Sequence, residues 1–428
     1  MIRSFQTFPL NNFSETKLQM LNWGNRFNIC SFLDNHQYQL QGHSYECLAG
    51  FGSIASVKAN AVTALNELQQ FLNAKNDWCF GHLGYNLKNE TAQLTSAHTS
   101  AIGFPDLFFF VPEYVLQLNE QELKIGSFVN DHAEVMQQIL NTFVPVDKKQ
   151  LPIAIKERIS KEQYIHAIKK IQHHILRGDC YELNFCMEFF AENVLLDAVK
   201  VYQVLTELSP NPFAAFYKVE NSYLLCASPE RFLRKKGTEL LSQPIKGTVR
   251  RELNNSTADK ALKEQLHHSA KDRSENVMVV DLVRNDLSRV CKEGTVKVDE
   301  LFGIYSFPQV HQMISSVSGT VKEAFNFTDI IRAMFPMGSM TGAPKQKVMQ
   351  LIDAYEQTDR GIFSGAVGYI APNGDFDFNV VIRSILYNAN TSYLSYLVGS
   401  GITFYSNAEK EYEECLLKAE AMRMVLGC

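Results

Sequence analysis

The sequence has no apolar run of about 18 residues, the length that a helix needs to cross a bilayer. Residues 1–6 carry one charge with no apolar run behind it, so a signal peptide is not expected. The net charge is −5, and the chain therefore lacks the basic excess that is typical of nucleic-acid binding. Neither a membrane nor a nucleic acid is an expected partner.

The cysteine spacings of zinc sites and of dithiol redox motifs are also missing. The nine cysteines are an odd number, and none forms a Cys-x-x-Cys pair. Dispersed thiols of this kind are typical of reduced proteins, in which most of them are buried. We therefore expect a cytoplasmic protein.

Strand and helix signals alternate along the chain, whose 428 residues and 46% hydrophobic content can bury a large core. Strand blocks joined by turn signals favour large antiparallel sheets with helices packed outside, which is an α+β fold. The connector 144–155 contains prolines and lysines. We place the main boundary there, between an N-terminal region 1–150 that completes the sheets and a second region 151–428.

Apolar stripes with a period of 3.6 residues predict the helices. The clearest predicted helix begins at a capping box of Ser160 and Gln163 and ends before Gly178. The other predicted helices lie near residues 55–74, 131–142, 196–208, 256–287, 326–334, 345–356 and 406–426.

A lysine between a proline and a glycine is the most informative residue of the chain. Residues 242–250 read Ser-Gln-Pro-Ile-Lys-Gly-Thr-Val-Arg, with Lys246 at the centre. A rigid proline and a permissive glycine can direct this side chain into a cleft, where desolvation lowers the pKa of the amine and makes it a nucleophile. A solvated lysine in a surface turn is the alternative interpretation.

Two acidic pairs indicate a cation site. Asp272 and Glu275 are spaced i,i+3, as are Glu411 and Glu414 near the C-terminus. This spacing places each pair on one face of a helix, where like charges repel unless a cation or water separates them. Hard oxygen ligands favour Mg²⁺, although each pair taken alone also fits a solvated helix face.

Two glycine-containing loops could bind a polar ligand. The loop Gly399-Ser400-Gly401 offers bare backbone amides that can hold a carboxylate, or it is a simple tight turn. Residues 335–345 are rich in glycine and hydroxyl groups ahead of a helix. Their glycine and lysine spacing is not that of a Walker loop.

Together these motifs resemble the chorismate-utilising enzyme family, which includes anthranilate, aminodeoxychorismate, isochorismate and salicylate synthases. The resemblance implies a layered sandwich of large antiparallel sheets, with the active site in the cleft between its halves. The matching segments, in family order, are residues 178–184, 228–232, 244–248, 272–276, 281–286, 338–345, 399–401 and 411–414, with residues 80–85 extending the likeness towards the N-terminus.

One position separates the branches of this family. The lysine at 246 resembles the branch called aminodeoxychorismate synthase component I, whereas anthranilate synthases resemble this motif with alanine. Isochorismate and salicylate synthases use a different lysine as a base that activates water, at the position of Glu182. The resemblance thus implies a transferase that makes 4-amino-4-deoxychorismate for para-aminobenzoate and folate. Anthranilate synthase, isochorismate or salicylate synthase, and a non-catalytic scaffold are the alternatives.

The resemblance also implies roles for the acidic residues and the lysine. Lys246 would add to the substrate ring, and Glu230 would protonate the leaving hydroxyl. The Mg²⁺ ligands implied are Glu275 and Glu414, with Asp272 and Glu411 nearby or acting through water.

Contacts to chorismate follow from the same resemblance. Tyr369 and Arg383 are implied for the enolpyruvyl carboxylate. The remaining substrate contacts implied are Gly399, Ser400, Gly401, Lys418, Ser339, Thr341, Thr248 and Gln312. Gln312 stands where many relatives have a histidine, and the adjacent His311 would face the opposite side of a strand as a core or rim residue.

A partner chain is implied as well. The sequence has no Gly-x-Cys-x-Gly nucleophile turn of a glutamine amidotransferase, so ammonia from glutamine would have to come from a separate polypeptide. The first 60 residues lack the Leu-Leu-Glu-Ser type of motif that tryptophan-inhibited members share, so inhibition by tryptophan is not expected.

Overall fold

The computed structural model describes residues 2–39, 42–145 and 152–427, and the strands of this part form two large sheets. The strands are β1 (Ser4–Pro9), β2 (Ile29–Asp34), β3 (Cys47–Phe51), β4 (Ala55–Ala59), β5 (Cys79–Leu83), β6 (Leu107–Val111), β7 (Tyr114–Leu118), β8 (Glu122–Ser127), β9 (Lys156–Glu157), β10 (Glu182–Ala191), β11 (Phe213–Val219), β12 (Ser222–Ser228), β13 (Arg231–Lys236), β14 (Glu239–Gln243), β15 (Ile245–Arg250), β16 (Lys297–Ser306), β17 (Val310–Thr320), β18 (Gly342–Ala343), β19 (Ala366–Ile370), β20 (Phe376–Asn379), β21 (Ser384–Asn388) and β22 (Tyr393–Ile402).

Helices cover the sheets. They are α1 (Phe13–Gly24), α2 (Ala64–Ala74), α3 (Lys88–Thr91), α4 (His132–Leu140), α5 (Lys161–Leu176), α6 (Ala198–Leu208), α7 (Ser256–His268), α8 (Ala270–Val290), α9 (Phe327–Met334), α10 (Lys345–Tyr355) and α11 (Ala408–Leu426). Within the described ranges, none of these helices combines the length and the apolar character that a membrane span requires.

Both sheets are antiparallel throughout, and the predicted α+β class is confirmed. The 12-stranded sheet has the order β1-β8-β7-β3-β2-β11-β12-β21-β22-β10-β18, with β9 beside β10. The 10-stranded sheet has the order β15-β17-β14-β13-β20-β19-β5-β6-β4, with β16 beside β17. Each sheet therefore combines strands from the first third of the chain with strands from the remainder. The boundary predicted at residue 150 lies outside the described residues, and the division into 1–150 and 151–428 stays a prediction.

Alternating side chains of the 12-stranded sheet explain the layering. On β10, Leu183, Phe185 and Met187 belong to a core cluster that includes residues of α5, α6 and α11. Cys186, between them, belongs to a second cluster that joins the two sheets and continues to α8 and α9. Both faces of β10 are therefore covered, and its residues from Glu182 to Met187 are all buried, including the polar Glu182 and Asn184.

Local signals account for most helix ends. The capping box of Ser160 and Gln163 is present at the start of α5, and Gly178 follows that helix with a φ of +80°. The helix predicted near residues 55–74 is wrong in its first part, because residues 55–59 pair with β6 as a strand. The last helix takes its cap from Asn407 rather than from Ser406.

Candidate active site

A cavity opens between the edge of the 10-stranded sheet and β22 of the 12-stranded sheet, with α8 and α11 beside it. Its empty volume, open to solvent, is about 870 Å³, which suits a small-molecule ligand. Most of the predicted site residues line it, although they come from distant parts of the chain. These lining residues are Glu230, Lys246, Thr248, Asp272, Glu275, Gln312, Ser339, Arg383, Gly399, Gly401, Glu414 and Lys418.

An irregular strand aims Lys246 into the cavity. The pairing of β15 with β17 shifts register between Ile245 and Thr248, and Gly247 within this shift has a φ of +94°. Such a φ is costly for a residue with a Cβ, and a Cβ at Gly247 would lie 3.0 Å from the Cβ of Asp272 on α8. Glycine after Lys246 is thus required by the local geometry, as the motif indicated.

Lys246 is buried and paired rather than solvated. Its Nζ lies 2.5 Å from Oε1 of Glu182, the first residue of β10. Burial lowers the pKa of Lys246, but the charges of Glu182 and Glu275 outweigh it and hold the pKa above its ordinary value. Burial favours the uncharged amine that the motif predicts, whereas the carboxylate of Glu182 beside it favours the ammonium form.

Glu230 lies at the turn between β12 and β13 and is buried. Burial raises the pKa of Glu230 to about 7, while the nearby Ser339 hydroxyl and the Lys246 ammonium oppose the shift. At neutral pH this carboxyl group is poised to give or take a proton, which is what a general acid requires.

The two acidic pairs meet at one end of the cavity. Glu275 on α8 is buried, and burial raises its pKa to about 7 against the opposing charges of Lys246 and Lys271. Burial would also raise the pKa of Glu414 on α11, but Lys418 reverses the shift and holds the pKa at about 2. Oε1 of Glu414 lies 2.6 Å from Nζ of Lys418, one helical turn away.

Lys271 joins these carboxylates. Its Nζ lies 2.9 Å from Oε1 of Glu411, 3.7 Å from Oε1 of Glu275 and 4.0 Å from Oε2 of Glu414. A single ammonium therefore partly neutralises three acidic residues from two helices. Sequence reasoning missed it, since a lysine four residues before Glu275 is an ordinary feature of a helix surface.

The acidic residues fit a hard cation. Oε1 of Glu275 and Oε2 of Glu411 are buried and have no hydrogen-bond partner, which is costly unless a ligand binds them. The carboxylates do not form a closed cage, however. Within residues 2–39, 42–145 and 152–427, three metal-type ligand atoms approach within 4.8 Å of one another only at Glu264, His267 and His268, which are exposed on α7.

Two glycines and two cations also line the cavity. A Cβ at Gly401 would lie 2.8 Å from Nζ of Lys246 and 2.9 Å from Oε1 of Glu182, so only glycine leaves room for this ion pair. Nζ of Lys418 donates to the carbonyl of Gly399 over 2.8 Å. Arg383 has a φ of +53°, and burial lowers the pKa of its guanidinium to about 10. A half-buried cation in a strained backbone conformation is typical of a binding site.

Four predicted site residues lie outside the cavity lining. Ser400 points to the other face of β22, where its Oγ lies 2.9 Å from the hydroxyl of Tyr164. Thr341 is buried and its Oγ1 donates to the carbonyl of Met337 over 3.0 Å. Glu411 faces Lys271 rather than the open space.

Tyr369 is the clearest correction. It lies on β19 with its ring centroid 5.7 Å from that of Tyr45, and it lines a separate cavity with His43 and Asp377. The sequence could not indicate which strand face would meet the cleft. His311, by contrast, is buried where expected for a core histidine, between Ser306 and Asp259 at 2.9 and 3.0 Å.

Some lining residues were not predicted as site residues. They are Asn184, Pro229, Ile245, Gly247, Met340, Phe363, Ile382, Leu397 and Val398. Most are apolar, and apolar residues inside a strand give no signal that separates a cavity wall from the core.

A comparison with known protein families identifies the family of this chain. The model of the chorismate binding enzyme family matches residues 29–424. The chain belongs to this family.

Two curated chorismate binding enzymes illustrate the similarity. Aminodeoxychorismate synthase component 1 of Escherichia coli is 33% identical over 78% of this chain and 73% of its own length. The chloroplastic aminodeoxychorismate synthase of Arabidopsis thaliana is 35% identical over 81% of this chain. The chain spans only 40% of the length of that plant protein.

A solved structure shows the same fold. Anthranilate synthase component I from Streptococcus pneumoniae superposes with a TM-score of 0.77 and 23% identity, covering 90% of this chain and 94% of its own. The layered sandwich expected of a chorismate binding enzyme is therefore confirmed.

Proposed function

We propose that the chain is an aminodeoxychorismate synthase component I, which converts chorismate and ammonia into 4-amino-4-deoxychorismate. The placement of Lys246 carries this proposal. Its Nζ lies in a cavity of suitable size, in the same lining as Glu230, whose pKa burial raises to about 7. A buried amine beside a proton-donating carboxyl group is the pair that a covalent displacement on the ring requires.

The reaction divides into two displacements. In the first, Nζ of Lys246 forms a bond to ring C2, the ring double bonds shift, and the bond from C4 to its hydroxyl breaks. Hydroxide is a poor leaving group, so Glu230 gives its proton and water departs. In the second, ammonia forms a bond at C4 and the lysine nitrogen leaves C2, while Glu230 takes back the proton that the new amine releases.

Basic residues and backbone amides would orient the substrate. The guanidinium of Arg383 can hold the enolpyruvyl carboxylate with its forked donors. Lys418 and the backbone around Gly399 and Gly401 would meet the ring carboxylate. The amide of Gln312 has a buried Oε1 without a hydrogen-bond partner, so it is available for a polar group of the ligand.

The acidic residues would hold Mg²⁺. Glu275 and Glu414 are the proposed ligands, with Asp272 and Glu411 nearby or acting through water. When bound, the cation supplies electrostatic stabilisation to the ring carboxylate and to the charge that develops there.

We also propose that ammonia comes from a glutamine amidotransferase on a separate chain. The Escherichia coli relative is called component 1, a name that implies a second component.

Product analysis tests the function. The purified chain is incubated with chorismate, Mg²⁺ and ammonium, and the products are identified by mass spectrometry before and after addition of an aminodeoxychorismate lyase. We expect 4-amino-4-deoxychorismate, which the lyase converts to para-aminobenzoate. Fluorescent anthranilate, or isochorismate formed without ammonium, would instead assign the chain to another branch of the family.

A further inference from the structure

Glu182 has no role in the mechanism above, yet it makes the shortest contact to the proposed nucleophile. Its carboxylate is buried at the start of β10, where Oε1 lies 2.5 Å from Nζ of Lys246. The second oxygen, Oε2, is buried and has no hydrogen-bond partner. Gly401 on the neighbouring strand leaves the space that the pair occupies.

The charges around Lys246 create a problem for the reaction. Nζ donates a hydrogen bond to Glu182 on β10, and the charges of Glu275 on α8 and Glu414 on α11 also favour the ammonium form. The hydrogen bond to Glu182 holds the proton on Nζ, and a protonated amine has no electron pair with which to attack. The lysine must therefore lose a proton before it can react.

Glu182 differs from the other two carboxylates in its geometry. It accepts a hydrogen bond from Nζ, whereas Glu275 and Glu414 act on Nζ through their charge. Glu275 forms an ion pair with Lys271, and Glu414 forms one with Lys418. Both carboxylates are also the proposed ligands of the cation. A proton can move along an existing hydrogen bond of 2.5 Å without any rearrangement of side chains.

We propose that Glu182 is the general base that takes the proton from Lys246 and later returns it. In the first displacement, the ammonium of Lys246 gives one proton to Oε1 of Glu182, and the neutral amine forms the bond to C2. In the second, the bond from C2 to Nζ breaks, and the leaving amine recovers the proton from Glu182. Glu230 donates and recovers a separate proton at C4, so the sum is chorismate plus ammonia to 4-amino-4-deoxychorismate plus water.

This inference rests on the proposed function, and one substitution separates it from a purely electrostatic role. Glu182→Gln keeps the size and a hydrogen-bond acceptor but cannot take a proton at neutral pH. If Glu182 is the base, kcat with ammonium should fall by about 100-fold or more while KM for chorismate stays within about 3-fold. If Glu182 only stabilises the ammonium form of Lys246, removing the carboxylate charge makes deprotonation of Lys246 easier, and kcat should rise.

Two further measurements complete the test. Glu182→Asp retains a carboxylate and should keep part of the rate, whereas the residual rate of Glu182→Gln should increase with pH, because solvent must then remove the proton from Lys246. Thermal unfolding of both variants verifies that they fold. A wild-type chain that makes no 4-amino-4-deoxychorismate overturns the proposed function. An active wild type with an equally active or faster Glu182→Gln overturns the role of Glu182 alone.

Discussion

The Nζ of Lys271 lies 2.9 Å from Oε1 of Glu411, and this ion pair ties the start of α8 to α11 at the rim of the cavity. The same ammonium lies within 4.0 Å of oxygens of Glu275 and Glu414. Lys271 thus supplies part of the positive charge that a divalent cation would bring to these carboxylates. Such carboxylates repel one another strongly when no cation is near.

Removing this ammonium should strengthen Mg²⁺ binding. In Lys271→Met the cation no longer competes with a fixed positive charge, so its dissociation constant in isothermal titration calorimetry should fall several-fold, on the order of 1 kcal/mol. Without Mg²⁺ the variant should unfold at a lower temperature than the wild type. The control is Lys169→Met, an exposed lysine on α5. Weaker Mg²⁺ binding by Lys271→Met would show that the lysine supports the site instead.

Neutralising one proposed ligand should weaken Mg²⁺ binding. Glu414→Gln removes a carboxylate whose pKa Lys418 holds at about 2 despite burial, so the group is ionised at every working pH. We expect the Mg²⁺ dissociation constant to rise about 10-fold or more. Glu413→Gln, an exposed neighbour on the same helix, is the matched control. Identical titrations of the two variants would exclude Glu414 as a ligand.

The protonation of Glu230 should affect both kcat and the free energy of unfolding. Its folded pKa of about 7 lies above the ordinary value of 4.5, so the folded state binds more protons between these values. This group therefore makes folding less favourable as pH rises from about 4.5 to 7. Glu230→Gln should stabilise the chain at pH 8 by on the order of 1–2 kcal/mol and lower kcat about 100-fold. Urea unfolding at pH 5 and pH 8 measures the first effect, and a gain equal at both pH values would refute the assigned pKa.

A methyl group at Gly401 should disturb the ion pair behind it. The new Cβ would lie 2.8 Å from Nζ of Lys246 and 2.9 Å from Oε1 of Glu182, closer than ordinary contacts allow. Because these atoms are the far ends of side chains, they can shift, and the chain should still fold. We expect Gly401→Ala to lower kcat by about 10-fold or more with little change in the unfolding temperature. Full activity would show that the positions of Lys246 and Glu182 are not critical.

The sequence was informative where a motif dictates backbone geometry. The lysine of residues 242–250 lies in the cavity because Gly247 adopts a positive φ that the motif already indicated. Within each acidic pair the two side chains share a face, because i,i+3 spacing on α8 and on α11 dictates it. These are local properties, and the chain encodes them within a few residues.

Long-range pairings could not be predicted in the same way. Glu182 and Lys246 are 64 residues apart and meet only because β10 and β15 of different sheets face the same cleft. Lys271 reaches Glu411 across 140 residues. Tyr369 was predicted to contact the substrate but lines a separate cavity. The alternation of side chains along β19 does not indicate which cavity a buried side chain lines.

The decisive measurement is the rate of 4-amino-4-deoxychorismate formation from chorismate, Mg²⁺ and ammonium by the wild type and by Lys246→Ala. Lys236→Ala, an exposed lysine at the end of β13, serves as the matched control. We expect Lys246→Ala to lose activity by about 100-fold or more and Lys236→Ala to keep it. A folded Lys246→Ala chain that forms the product at nearly the wild-type rate would contradict the assignment of Lys246 as the nucleophile.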